Sequence, residues 1–95
     1  MTIVLCGKIT GEPDYPKLFE NAREQVQMRF PNAKIISPTD IGMDEFTWDE
    51  CMAVTCALIH GAKNVFMLKN WSESQGARVE HDVAERFGYN IFFEE

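Results

Sequence analysis

The stretch Thr2-Ile3-Val4-Leu5-Cys6-Gly7 decides the fold, because an almost continuous apolar run that stops at a glycine is typical of a central parallel strand. Similar short runs recur at Ala33 to Ser37, Asn64 to Leu68 and Asn90 to Phe93. Stretches with helical spacing of apolar residues separate these runs. The alternation predicts an α/β domain with a small Rossmann-like or flavodoxin-like open parallel sheet of about four strands and helices on both faces.

Three amphipathic stretches fill the gaps between the predicted strands. The first begins at Asp14 or Tyr15 and ends before Pro31, the second runs from about Thr47 to His60 with Gly61 closing it, and the third begins at Ser74. Spacing of three and four residues predicts the buried faces of these helices. Those faces comprise Tyr15, Leu18, Phe19, Ala22, Val26 and Phe30, then Trp48, Met52, Thr55 and Ile59, then Ala77, Val83, Ala84 and Phe87.

Composition bounds the protein class. The 95 residues carry 9 basic and 15 acidic side chains, a formal charge of -6, and no basic run. These features argue against a nucleic acid polymer as partner and predict a single domain over residues 1–95. No segment approaches the roughly 20 apolar residues of a membrane span, so we expect a cytoplasmic protein without a membrane partner. The scattered Cys6, Cys51 and Cys56 indicate reduced thiols.

Glu80 is the residue that points most directly to function. It falls between Ala77 and Ala84 on the predicted buried stripe of the third helix. Burying an unpaired carboxylate costs several kcal/mol, so this side chain needs either a fixed partner or a pocket. We expect a pocket. The alternative is a partner-binding scaffold in which Glu80 pairs with Arg78 or Lys63.

The ends of the predicted strands bring several unusual residues together. In an open parallel sheet the functional crevice lies outside the carboxyl ends of the strands. Gly7 and Gly11 follow the first strand, Pro38 follows the second, and Trp71 with Ser74-Gln75-Gly76 follows the third. Backbone N–H groups there could hold a phosphate at the start of the third helix. Alternatively, the glycines only make a tight turn and Ser74 only caps the helix.

Two motifs resemble a known family. The first is Cys6-Gly7-Lys8-Ile9-Thr10-Gly11 followed by Pro13-Asp14-Tyr15, and the second is the string from Trp71 to Glu80, which reads W-x-x-S-x-G-A-x-x-E. Both are similar to the short nucleoside 2-deoxyribosyltransferase-like proteins, many of which are encoded by bacteriophages. The likeness covers nearly the full chain, and the second string is its specific part.

The resemblance implies a set of site residues. Glu80 matches the nucleophile that attacks the anomeric carbon of a deoxyribose, and Tyr15 is the candidate for holding the sugar and the nucleophile. Ser74 looks like the residue that contacts a 5′-phosphate in the related deoxynucleotide hydrolases. The resemblance implies a nucleoside or nucleotide ligand and a homodimer or higher even oligomer. Its other ligand-binding candidates are Gly7, Lys8, Ile9, Gly11, Trp71, Gly76 and Ala77. We expect neither a metal nor a cofactor.

Some positions depart from the family pattern. In the family, an acidic residue before the third strand usually supplies a proton to the departing base, and Lys63 stands at that position. Lys8 stands where proline is usual. A second hypothesis is therefore a non-catalytic protein that sequesters or senses a nucleotide-like ligand, with Lys8 and Lys69 facing its phosphate. The sequence predicts an N-deoxyribosyl hydrolase or transferase first and this binding protein second.

Two neighbouring features have simpler interpretations. Cys56 and His60 share a face of the second helix, yet a structural zinc site needs about four ligands, so a core thiol and a helix-end histidine are favoured. His81 adjoins Glu80 in sequence but points about 100° away around the helix. We therefore expect His81 at a solvent or subunit-interface position.

Overall fold

The computed structural model describes residues 1–95 and contains one sheet of four parallel strands in the order β2-β1-β3-β4. Short 3-10 turns at Pro38–Asp40 and Trp71–Glu73 follow the second and third strands. The α/β class and the Rossmann-like arrangement predicted from the sequence are confirmed. The strands are β1 (Thr2–Cys6), β2 (Lys34–Ile36), β3 (Asn64–Met67) and β4 (Asn90–Phe93), and the helices are α1 (Tyr15–Arg29), α2 (Trp48–Ala62) and α3 (Gln75–Arg86).

The central strand β1 separates two apolar cores because successive side chains of a strand point to opposite faces. Ile3 and Leu5 pack with the buried face of α1. Val4 and Cys6 pack on the other face against residues of α2 and α3. Residues 3–6 of β1 and 64–67 of β3 are all buried, as expected for central strands covered on both sides. The sheet therefore places one helix on one face and two on the other.

Capping groups define where the helices begin. Thr47 and Glu50 form a reciprocal capping box at the start of α2, with N–H···O distances of 2.8 and 3.1 Å. The Ser74 hydroxyl accepts the N–H of Ala77 at 3.1 Å at the start of α3. The predicted starts of α2 and α3 are therefore confirmed, and α1 begins at Tyr15, as predicted, without a side-chain cap. Ser74 is fixed at the end of the sheet where the strands terminate.

The predicted end of α2 at Gly61 is wrong. The helix continues through Ala62, and Lys63 takes the left-handed conformation with φ 63°. The side-chain amide of Asn64 donates to the carbonyl of Ala62 at 3.0 Å, and the N–H of Lys63 donates to that of Ile59 at 2.8 Å. These bonds satisfy the end of the helix, so a non-glycine residue adopts the conformation that usually favours glycine.

Two residues assigned to buried faces are exposed. Phe87 is 58% exposed and lies past the end of α3, where its ring packs edge-on against His60 at 4.8 Å. Trp48 is 46% exposed and is the first residue of α2. Helical periodicity fails at both positions because each lies at a helix terminus. No helix in the structure is long and apolar enough to cross a bilayer.

Candidate active site

A cavity of about 620 Å³ opens at the carboxyl ends of β1, β2 and β3. Its walls come from the loops that follow these strands, from the start of α1 and from the N-terminal halves of α2 and α3. The predicted crevice is therefore confirmed. Its volume is in the range typical of small-molecule sites, roughly 300–1,000 Å³.

Glu80 lines this cavity from the second turn of α3. Its side chain is buried, with 8% exposure, and it makes no ion pair. The Arg78 guanidinium donates instead to the carbonyl of Ser72 at 3.3 Å. Lys63 lies at the opposite end of the sheet, directly before the amino end of β3. The predicted alternative pairing of Glu80 with Arg78 or Lys63 is therefore wrong.

The environment of Glu80 changes its acid–base behaviour. Burial raises the pKa of Glu80 from 4.5 to about 7, while hydrogen bonds from the Thr55 hydroxyl and the Cys6 thiol oppose part of that rise. Burial, followed by the nearby charge of Glu80, raises the pKa of the Cys6 thiol well above its usual value. Cys6 therefore stays protonated as a hydrogen-bond donor, whereas Glu80 gains and loses its proton near neutral pH.

Most of the predicted site residues meet at the cavity. The loop after β1, the start of α1 and the N-terminal half of α3 contribute these residues, although the segments are far apart in the sequence. The cavity brings together Gly7, Ile9, Tyr15, Ser74, Gly76, Ala77 and Glu80.

Three predicted ligand contacts do not line the cavity. Gly11 has a positive φ of 78° and forms a turn outside it, and the aliphatic chain of Lys8 lies alongside, since a Cβ on Gly11 would be 3.8 Å from Lys8 Cε. Trp71 packs under α3 with its ring stacked on His81 at 4.4 Å. That stacking also partly covers His81, which was expected at solvent or an interface. Lys8, Gly11 and Trp71 therefore lie outside the cavity.

The predicted phosphate-binding groups are largely engaged within the protein. The N–H of Lys8 donates to Asn70 Oδ1 at 3.1 Å, and Ser74 Oγ caps the N–H of Ala77. A Cβ on Gly7 would lie 2.9 Å from Leu68 Cβ, so close packing explains this glycine. At the start of α3 only the N–H groups of Gln75 and Gly76 have no hydrogen-bond partner. The tight-turn and helix-cap interpretation accounts for most of these residues.

Several cavity residues were missed or misassigned. Trp48 and Met52 were placed in the core, yet both line the cavity, and Gly76 allows this approach because a Cβ there would be 3.2 Å from Met52 Sδ. Thr55 is a buried polar residue on an apolar stripe, the same signal that identified Glu80. The stretch from Thr39 to Phe46 was predicted as a loop but given no place in the site, although its scattered apolar residues were a usable signal. It contributes Ile41, Met43, Asp44 and Phe46.

The ionisable groups of the lining are almost all acidic. Asp44, Glu73 and Glu80 line the cavity, and no Lys, Arg or His does. Lys69, expected to face a ligand phosphate, is exposed and lies outside the cavity as well. No group of three or more His, Cys, Asp or Glu side chains is placed to hold a metal ion, and His60 contacts the Tyr89 hydroxyl at 2.8 Å.

Comparison with known proteins gives a family but no function. No curated protein and no solved structure matches the chain significantly. A family model matches residues 1–93, which include both the loop after β1 and the helix that carries Glu80, and its description is a domain of unknown function. The chain therefore belongs to the DUF4406 family.

Proposed function

We propose that this protein binds a nucleoside or nucleotide in the cavity and cleaves or transfers its N-glycosidic bond through Glu80. The observation that carries the proposal is a buried carboxylate without an ion-pair partner that lines a ligand-sized cavity. Such a group is costly to the fold, and a role in chemistry explains its presence. The string from Trp71 to Glu80 also resembles that of the nucleoside 2-deoxyribosyltransferase-like proteins, which implies that Glu80 is the nucleophile.

The chemistry follows from the properties of a fixed carboxylate. Breaking an N-glycosidic bond develops positive charge on the sugar, and an ionised Glu80 can stabilise that charge or form a glycosyl ester with the anomeric carbon. With a pKa of about 7, a substantial fraction of Glu80 is ionised at neutral pH. Water or a second base then releases the sugar from the ester.

The remaining walls suit a nucleoside. The rings of Trp48 and Phe46 and the thioether of Met52 offer apolar and aromatic surface for a base. Tyr15 lines the same cavity and offers a hydroxyl for the sugar or the carboxylate. Lys63 lies at the other end of β3, so its departure from the family pattern does not alter the cavity wall.

A binding protein without catalysis is the second candidate. A neutral base leaves only when a proton donor assists it, and general acids are usually tuned by burial. Glu80 is the one buried carboxylate of the cavity, whereas Asp44 and Glu73 are exposed. This favours a protein that holds a nucleotide-like ligand intact.

One experiment separates the two candidates. Wild type is incubated with deoxynucleosides and their 5′-monophosphates, and free base is measured by chromatography while binding is measured by calorimetry. Base release that disappears in Glu80→Gln and persists in Glu85→Gln, an exposed position on the same helix, supports the enzyme. Binding with an unchanged ligand supports the second candidate, and neither binding nor release contradicts both.

Self-association is part of the proposal. The helix α2 carries no charged side chain between Cys51 and Ala62, and only Thr55 and Ile59 of it are buried. An uncharged, mostly uncovered helix face suits contact between copies of the chain. We propose a homodimer or higher even oligomer, which light scattering on the purified protein tests.

A further inference from the structure

The charge of the cavity selects among the ligands that the proposed function allows. Asp44, Glu73 and Glu80 contribute carboxyl groups, and no basic side chain balances them. Asp44 and Glu73 make no ion pair elsewhere in the chain. A ligand with a phosphate would bring more negative charge beside these groups, whereas a positive charge would be attracted. The whole chain, with a formal charge of -6, adds to the same preference.

The lack of a buried proton donor also limits the leaving group. A neutral base must gain a proton as it leaves, and the cavity has no second buried carboxyl to supply it. A base that already carries a positive charge needs no proton, because the electron pair of the broken bond neutralises its ring. One buried nucleophile is then sufficient.

We propose that the preferred ligand is an N-glycoside whose base carries a fixed positive charge, such as an N-alkylated purine or a pyridinium nucleoside without a phosphate. The inference rests on the proposed function, since Glu80 performs the same attack. A Glu80 oxygen bonds to the anomeric carbon while the bond to the base nitrogen breaks, and the base leaves uncharged. Water then hydrolyses the ester, which restores the carboxylate and releases one proton to solvent.

The burial of Glu80 agrees with this ligand. Burial keeps the Glu80 carboxyl partly protonated near neutral pH, with a pKa of about 7. A cationic base beside it favours the ionised form, which is the nucleophilic one. The ligand itself therefore activates Glu80, and an uncharged or anionic ligand would not.

The test compares ligands that differ in charge. The matched pair is 7-methyl-2′-deoxyguanosine and 2′-deoxyguanosine, in a mildly acidic buffer that keeps the methylated ring cationic, and the third ligand is deoxyguanosine 5′-monophosphate. Dissociation constants are measured on Glu80→Gln, which cannot form the ester. Base release is measured on wild type and divided by the uncatalysed rate of each compound. We expect the cation to bind most tightly and the monophosphate most weakly.

Charge-neutralising variants locate the source of the preference. An exposed carboxylate near a cation contributes about a twofold change in affinity, so Asp44→Asn with Glu73→Gln should lower the ratio of cation to neutral affinity about fourfold. The control, Glu45→Gln with Glu85→Gln, removes the same net charge from exposed positions outside the cavity and should leave the ratio nearly unchanged. Added salt should lower the ratio in wild type.

The outcomes separate the inference from the proposed function. Base release that requires Glu80, with equal or tighter binding of the neutral nucleoside or the monophosphate, overturns the inference and leaves the proposed function standing. Equal loss of preference in the two double variants also overturns it, because the selectivity would then be a property of net charge. Absence of binding and release for all three compounds overturns both.

Discussion

Replacing Glu80 with glutamine should stabilise the protein at neutral and alkaline pH. The burial of Glu80 raises its pKa from 4.5 to about 7, so the folded state disfavours the ionised form. At about 1.4 kcal/mol per pKa unit, this shift corresponds to about 3 kcal/mol. Glutamine has nearly the same shape and carries no charge at any pH, so it removes this term.

The direction in which stability changes with pH follows from proton binding. Between pH 4.5 and about 7 the folded state holds the Glu80 proton that the unfolded state has lost. The contribution to stability is therefore complete below pH 4.5 and is lost as the pH rises through about 7. The free energy of unfolding of wild type should fall relative to that of Glu80→Gln by about 3 kcal/mol across this window.

Urea unfolding, followed by circular dichroism at several pH values, measures this difference. Subtracting the free energy of unfolding of Glu80→Gln from that of wild type cancels the titration of the other carboxyl groups. These include Glu50, whose pKa is lowered by hydrogen bonds from Thr47. Glu85→Gln serves as the control because Glu85 is exposed on the same helix, and it should track wild type. A wild-type curve parallel to that of Glu80→Gln would refute the burial argument.

Three further predictions concern neighbouring positions. Gly7→Ala should lower the free energy of unfolding by about 1–3 kcal/mol, because the new Cβ would lie 2.9 Å from Leu68 Cβ. Gly42→Ala, where a Cβ meets no atom within 4 Å, should be neutral or slightly stabilising in the same urea assay, and an equal loss at both positions would contradict the packing argument. Thr55→Val removes a hydrogen bond that favours ionised Glu80, so it should raise the pKa of Glu80 further, which carboxyl-resolved NMR measures; a lowered pKa would contradict it.

The sequence predicted the sheet well because its strands are short apolar runs bounded by clear turn residues. The ranges Thr2–Cys6 and Asn90–Phe93 agree with the structure at both ends. The end of α2 was mispredicted because Asn64, a residue of the next strand, donates to its last carbonyl, that of Ala62. Contacts that cross between elements cannot be derived from local propensity.

Only part of the site was predicted, because contacts between elements also decide which side chains line the cavity. Glu80 was found because an ionisable residue on an apolar stripe is visible in the sequence. The roles of Trp48 and Met52 depend on how closely α3 approaches α2 at Gly76, which only the packed structure determines. Lys8 and Trp71 were assigned to the cavity by their loops, although neither lines it: Lys8 lies beside Gly11, and Trp71 stacks on His81. Membership of a loop is therefore weaker evidence than burial.

The most direct test of a nucleophilic Glu80 is mass spectrometry of the protein after acid quenching during turnover of a deoxynucleoside. We expect a mass increase of one deoxyribosyl group, mapped by peptide sequencing to Glu80. Base release with the sugar attached to another residue, or with no attachment and full activity in Glu80→Gln, would contradict the account.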